Sequence, residues 1–203
     1  RFDLVNFNRQ AGAMMSTLDR PKVEVMAEMA RDINPELDIR IFPDGVNAAN
    51  LGDFLDGVDI YVDGLDFFAF KARRDTFKAC HERGIPAVTA APLGMGTAVL
   101  SFLPGHMSFE EYFRFEGCDE DEMAVRFVLG LSPAMLNRGY LVDPSRVNFS
   151  ERRGPSTGAA CQLCAGVTAV EVLKILLGRG KVLCAPWGFQ FDAYRNRYIK
   201  TWR

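Results

Sequence analysis

The sequence predicts an α/β fold: a mostly parallel sheet covered by helices, with antiparallel hairpin strands added toward the C-terminus. Three observations predict it. Segments of helical period and of strand period alternate through residues 22–90. The strand segments there are short apolar runs, the pattern of strands buried on both faces. The last two strand-like runs, 188–194 and 197–203, are separated only by Arg195-Asn196, the spacing of a hairpin. With 203 residues, 48% hydrophobic and 25% charged, the chain has the length of one domain and enough apolar side chains for a substantial core.

Each element has a local reason. "RPKVEVMAEMARDIN" places Val23, Met26, Ala27, Ala30 and Ile33 on one helical face. Pro21 suits its first turn, and Asn34-Pro35 ends it. "DIRIF" (38–42) reads as a strand, "NAANLGDFLDG" as a short helix, and "VDIYVD" (58–63) as a buried strand. "FAFKARRDTFKACHERG" is a helix closed by Gly84, with His81 near its C-terminal end, where a cation is welcome. "IPAVTA" (85–90) and "TAVLSFLP" (97–104) are strands joined through "PLGMG". That last segment imitates a phosphate loop, but a strand follows it rather than a helix, so Gly94 and Gly96 read as turn glycines. "DEDEMAVRFVLG" is a helix with its acids at the favourable end of the dipole. An irregular crossover covers about 104–160, apart from that helix, and a helix over 162–178 ends at Gly178. Within the crossover, "SFLPGHMSFEEYFRF" is either a lid or partner surface or a hydrophobic subcore; the subcore is the favoured reading.

Composition excludes some functions. A net charge of −2 gives no general attraction to a DNA backbone or an anionic membrane. The longest apolar stretch, "CAGVTAVEVLKILLG", is broken by Glu171 and Lys174 and reads as a buried helix. Five cysteines, an odd number in a chain that needs no staples, point to reduced thiols and a cytoplasmic setting. The single C-x-x-C pair, Cys161 and Cys164, offers two of the four ligands a structural zinc needs, which argues against zinc. His106, in the loop "PGHM", matches no motif.

In order, "VNFNRQ", "RPK" opening a helix, "INP" ending it, "VDGLD" closing a strand, "GIPAVTAAPLGMG" and "GVTAVEVLKILLG" resemble the ThiF/MoeB family, bacterial relatives of ubiquitin-activating enzymes. The resemblance implies a Rossmann-like fold. The family's usual opening is a strand, a Gly-rich phosphate loop, a helix and a second strand ending in Asp-x-Asp. All of these would precede Arg1, so the expectation is a domain without its first βαβ piece.

By resemblance, the activity is ATP-dependent adenylation of a carboxylate. The substrate would be the C-terminus of a small ubiquitin-like sulfur carrier, or a modified tRNA base as in one branch, and the enzyme a homodimer. The chemistry needs cations to cancel phosphate charge and Mg²⁺ to hold the leaving pyrophosphate. The resemblance sets Asn6 and Asn8 along the nucleotide and Arg9 on the phosphates, where a planar fork bonds oxygens in pairs. Lys22 stands in the first turn of its helix, where anions are already favoured. Asp66 takes the place of the Mg²⁺-binding Asp, just past the carboxyl end of strand 58–63, with Asp63 as its acidic neighbour. Gln10 and Arg73 are further candidates. Cys161 and Cys164, at a helix start where thiols ionise more readily, are candidates for a reactive role or for close packing.

Each residue has a plainer reading: Asn6 and Asn8 as turn formers, Asp63 and Asp66 as strand-end caps, Arg9 and Lys22 as solvated cations. One position departs from the family. Where Asn commonly follows the metal-binding Asp, this chain has Phe67. That departure, with the absent βαβ piece, keeps two other readings open: a non-catalytic scaffold or partner subunit, and an NAD-type dinucleotide-binding protein.

Overall fold

Period-2 alternation in two central strands gives one sheet two buried faces. In the computed structural model, which describes residues 1–140 and 157–203, five strands lie side by side in chain order. They are β1 (Tyr61–Asp63), β2 (Ala87–Leu93), β3 (Gly96–Phe102), β4 (Trp187–Asp192) and β5 (Arg197–Trp202). β1 and β2 run parallel, with Asp63 opposite Thr89. The other three pairings are antiparallel, so the expected parallel character is confined to one pair among the described residues. The mixed α/β class and the C-terminal hairpin are as predicted.

Ala87, Ala91, Leu93, Ala98, Leu100 and Phe102 point to one face; Val88, Ala90 and Val99 point to the other. The first face is covered by α3 (Phe70–Arg83), α4 (Phe109–Phe113) and α5 (Glu120–Leu131). Its core is aromatic: Phe77 stacks on Phe109 with centroids 4.3 Å apart, and Phe113 and Phe115 are fully buried beside Phe127. "SFLPGHMSFEEYFRF" is thus a subcore, with Phe109, Tyr112, Phe113 and Phe115 inside. Burying rings of this size supplies much of the hydrophobic driving force.

The second face is covered by α6 (Gly158–Leu177), whose buried side is Ala160, Cys164, Thr168 and Glu171. Val170, Leu173, Leu176 and Leu177 on its outer side are half exposed, so the helix expected to be buried is buried on one face only. By length and composition α6 could cross a membrane.

Four expectations change. Residues 38–42 form no strand and join no ladder of the described sheet; an unpaired strand leaves its peptide groups to water. The helix expected over 47–57 shrinks to α2 (Leu51–Phe54). In α1 (Lys22–Ile33) the buried residues are Val25 and Ala27, while Met26 and Ile33 are exposed at 46% and 85%. The reason is a separate small cluster: Val25 and Met29, one turn apart, pack against Phe2, Phe7 and Ala13 rather than against the sheet. The crossover is more ordered than expected, holding α4 and a 3₁₀ turn over Leu136–Tyr140; its residues 141–156 lie outside those described.

α4 has five residues and starts with a capping box. Ser108 Oγ accepts the Glu111 N–H at 3.2 Å, and the Ser108 N–H donates to Glu111 Oε2 at 2.7 Å. So short a helix depends on its cap and on Phe109 and Phe113. Ser108→Ala is therefore expected to lower stability by about 1 kcal/mol, measured by urea unfolding followed by circular dichroism.

Candidate functional site

β1 ends at Asp63, and the next six residues turn over the end of the sheet before α3 begins. One side chain sets that loop. Arg73, the fourth residue of α3, donates through Nε to Asp63 Oδ2 at 2.8 Å. Its Nη1 reaches the Phe67 carbonyl at 3.0 Å, and its Nη2 reaches those of Leu65 and Asp66, each at 2.9 Å. The guanidinium also faces the Phe127 ring at 4.7 Å. The Arg73 and Asp63 side chains are 3% and 2% exposed, so the pair is sealed from water. Asp63 further accepts the Thr89 hydroxyl at 2.8 Å and the Leu65 N–H at 3.1 Å. A buried ion pair survives when its remaining valences are filled in this way. Burial beside the Asp63 charge pushes the Tyr61 phenol far above its ordinary range.

Asp63 and Arg73, both read as ligand candidates, are thus engaged with each other and with the backbone. What they hold outward is Asp66. Its carboxylate is exposed, with Oδ1 accepting the Phe68 N–H at 3.1 Å, and its carbonyl accepts from the Ala69 N–H and from Arg73. Phe67 turns the other way. Its ring meets Phe68, Phe70 and Phe127 with centroids 4.8, 5.8 and 5.3 Å away, so this departure from the family pattern adds to the aromatic core.

The second cluster of candidates meets the start of α6. A Cβ on Gly158 would stand 2.7 Å from the Asn8 carbonyl oxygen, which brings the 8–9 backbone directly against the helix N-terminus. Arg9 Nη1 donates to the Val5 carbonyl at 2.7 Å and to Asn8 Oδ1 at 2.9 Å. Asn6 is buried and closes its own turn: its Oδ1 accepts the Asp3 N–H at 3.1 Å, and its carbonyl accepts from Arg9 and Gln10. This is the turn-forming role. Gln10 is half-buried and continues the turn to Ala13.

Thr157 caps α6 through the Ala160 N–H at 3.2 Å and donates to the Gly94 carbonyl at 3.1 Å. The tip of the β2–β3 hairpin is thereby tied to the helix start. Gly94, at φ 62°, is a turn glycine crowded by Tyr140, as the reading of "PLGMG" requires. The Tyr140 hydroxyl receives the Met95 N–H at 2.9 Å and donates to buried Asp192.

Lys22, the first residue of α1, holds its Nζ 5.7 Å from the centre of the Phe2 ring. No hydrogen bond or ion pair joins Arg9, Lys22 and Asp66 to one another among the described residues. Of the two cysteines in α6, Cys164 is buried on the sheet, and burial pushes its thiol above the ordinary range, which opposes thiolate chemistry. Cys161 is half-buried in the first turn. Thr89 and Asp192 were missed from sequence, although a polar residue inside the apolar runs "IPAVTA" and "GFQFDAY" is the signal that marks them.

The geometry defines a class: a mixed α/β domain that carries an exposed acid past the carboxyl end of a parallel strand and brings the backbone of residues 8–9 against a helix start. The chain belongs to the ThiF family, whose sequence pattern matches residues 1–203. Among curated proteins it is similar to the tRNA threonylcarbamoyladenosine dehydratase of Bacillus subtilis, 33% identical over 89 residues, 43% of this chain and 34% of that one. The Haemophilus influenzae protein of the same name is 34% identical over 92 residues, 45% of this chain and 34% of that one. In fold it resembles Escherichia coli MccB crystallised with ATP, with a TM-score of 0.67 and 16% identity over 100% of this chain and 53% of that one. PaaA gives a TM-score of 0.68 and 15% identity over 98% of this chain and 53% of that one. The chain spans about a third of the length of these curated relatives, at 34%, and about half of these solved chains, at 53%.

Proposed function

We propose that this chain is part of an ATP-dependent enzyme that adenylates a carboxylate. The observation that carries the reading is the Asp66 loop: in a ThiF-family chain, a buried Arg73–Asp63 pair is used to hold one exposed carboxylate at the carboxyl end of a parallel strand. Among the described residues no group of three or more His, Cys, Asp or Glu could hold a metal unaided. Mg²⁺ does not need one, since it is commonly bound by one or two carboxylates with substrate phosphates completing its shell. Asp66 fits that donor set and would hold the ion, which would neutralise charge on the leaving pyrophosphate.

The chain's own residues would place the phosphates. Lys22 begins a helix, where its charge opposes the dipole; an anion bound there turns that unfavourable contact into a favourable one. Arg9 lies beside the N-terminus of α6, a second end that favours negative charge. Asn8, on the same turn, would face the nucleotide.

The relatives' name favours one carboxylate over the others. A dehydration that removes a carboxylate oxygen needs that oxygen converted into a better leaving group, and AMP is one. This supports a carboxylate borne on a tRNA base ahead of the carrier-protein C-terminus. The test is Mg²⁺-dependent exchange of labelled pyrophosphate into ATP by the full-length protein, with threonylcarbamoyl-bearing tRNA supplied. Exchange that needs the tRNA supports the reading. Exchange only with a small ubiquitin-like protein moves the substrate to the carrier class, and no exchange or ATP binding with either overturns adenylation.

A further inference from the structure

The carboxyl ends of β1 and β2 carry the site above; the opposite end of the sheet carries a different pair. β3 runs antiparallel to β2, so its final residue, Phe102, lies opposite Ala87 at the start of β2. There the Cys184 Sγ stands 3.4 Å from His106 Nδ1. Both partners are fixed at the end of β3. The His106 N–H donates to the Leu103 carbonyl at 3.1 Å across a turn whose Gly105 has φ 76°. Cys184 bridges to Ser101, and the next N–H, that of Ala185, donates to the Ser101 carbonyl at 2.9 Å. His106 is exposed and Cys184 half-buried, so an incoming molecule can reach the sulfur.

Three of the other cysteines are held differently. Cys80 is buried, its thiol pushed up to about 11, and Cys164 is buried with its thiol raised. Cys118 is half-buried like Cys184, but its thiol lies against the carbonyls of Arg114 and Glu116 at 3.6 and 3.9 Å rather than against a base. An imidazole at hydrogen-bond distance is a base and, once protonated, a counter-cation for a thiolate.

We propose that Cys184 is a thiol-modification site that exchanges with small disulfides, with His106 as the group that takes its proton. In the neutral pair the proton of His106 is on Nε2, leaving Nδ1 to accept from the thiol. Nδ1 takes that proton, and the Cys184 thiolate attacks one sulfur of the disulfide. A new S–S bond to Cys184 forms, the original S–S bond breaks, and the second sulfur leaves as a thiolate. The site is independent of adenylation.

The test is the rate at which each cysteine of the purified protein forms a mixed disulfide with oxidised glutathione, and is alkylated by iodoacetamide, followed by peptide mass spectrometry. At pH 7, Cys184 is expected to react about tenfold faster than Cys118, and His106→Gln to remove that advantage while leaving Cys118 unchanged. The difference between wild type and variant should close near pH 9, where an ordinary thiol ionises unaided. Cys80 and Cys164 report an intact fold by staying unreactive. If the variant exposes them, the wild-type rates decide alone. A Cys184 rate at pH 7 no greater than that of Cys118, or one indifferent to His106 in a folded variant, overturns the proposal.

Discussion

Arg73→Met is expected to lower the unfolding free energy by about 3–5 kcal/mol. The substitution keeps most of the side-chain volume against Phe127 but strands the Asp63 carboxylate, 2% exposed, without its cation, and leaves the Leu65, Phe67 and Asp66 carbonyls without their shared donor. Most of the loss comes from the uncompensated charge rather than from the missing attraction. The double replacement Arg73→Met with Asp63→Asn should therefore recover part of the loss, because the amide is neutral and can still accept from Thr89. Urea unfolding of the wild type and the two variants, followed by far-ultraviolet circular dichroism, checks both statements. A single variant as stable as wild type would show that the pair does not organise the loop.

Asp66→Ala should separate the site from its support. The residue is exposed, and the Phe68 N–H it accepts can turn to water, so stability should stay within about 0.5 kcal/mol of wild type. Pyrophosphate exchange, in contrast, should fall by about 10²–10³-fold, the scale on which one electrostatic partner of a developing charge is felt. Raising Mg²⁺ should restore part of the Asp66→Asn rate but little of the Arg73→Met rate, since only the first defect is weakened metal capture. Unchanged exchange in Asp66→Ala would remove this residue from the proposed metal site.

The sequence was most informative where local pattern and tertiary need agree. Gly84 and Gly178 end α3 and α6 in the left-handed conformation, and the hairpin around Arg195-Asn196 forms as its spacing suggests. It was least informative where a distant partner decides. Residues 38–42 have strand chemistry but no neighbouring strand among those described. The face of α1 follows Phe2, a residue no window over the helix contains. The candidate site divides in the same way. The place of Asp66 just past a strand was legible, while its role as a metal ligand came only from the family resemblance. That Asp63 and Arg73 serve each other, ten residues apart through a loop, depends on how α3 packs. The Cys184–His106 pair spans 78 residues and joins two loops that each look ordinary alone.

The interior is built of phenylalanine, while both tryptophans sit on the β4–β5 edge, Trp187 opposite Trp202, 48% and 64% exposed, with ring centroids 6.5 Å apart. Intrinsic fluorescence excited at the indole band will therefore watch the outermost ribbon and stay nearly blind to the aromatic centre. An early emission change on heating would signal fraying of that ribbon. Loss of the centre has to be followed through backbone ellipticity or the near-ultraviolet bands of phenylalanine and tyrosine.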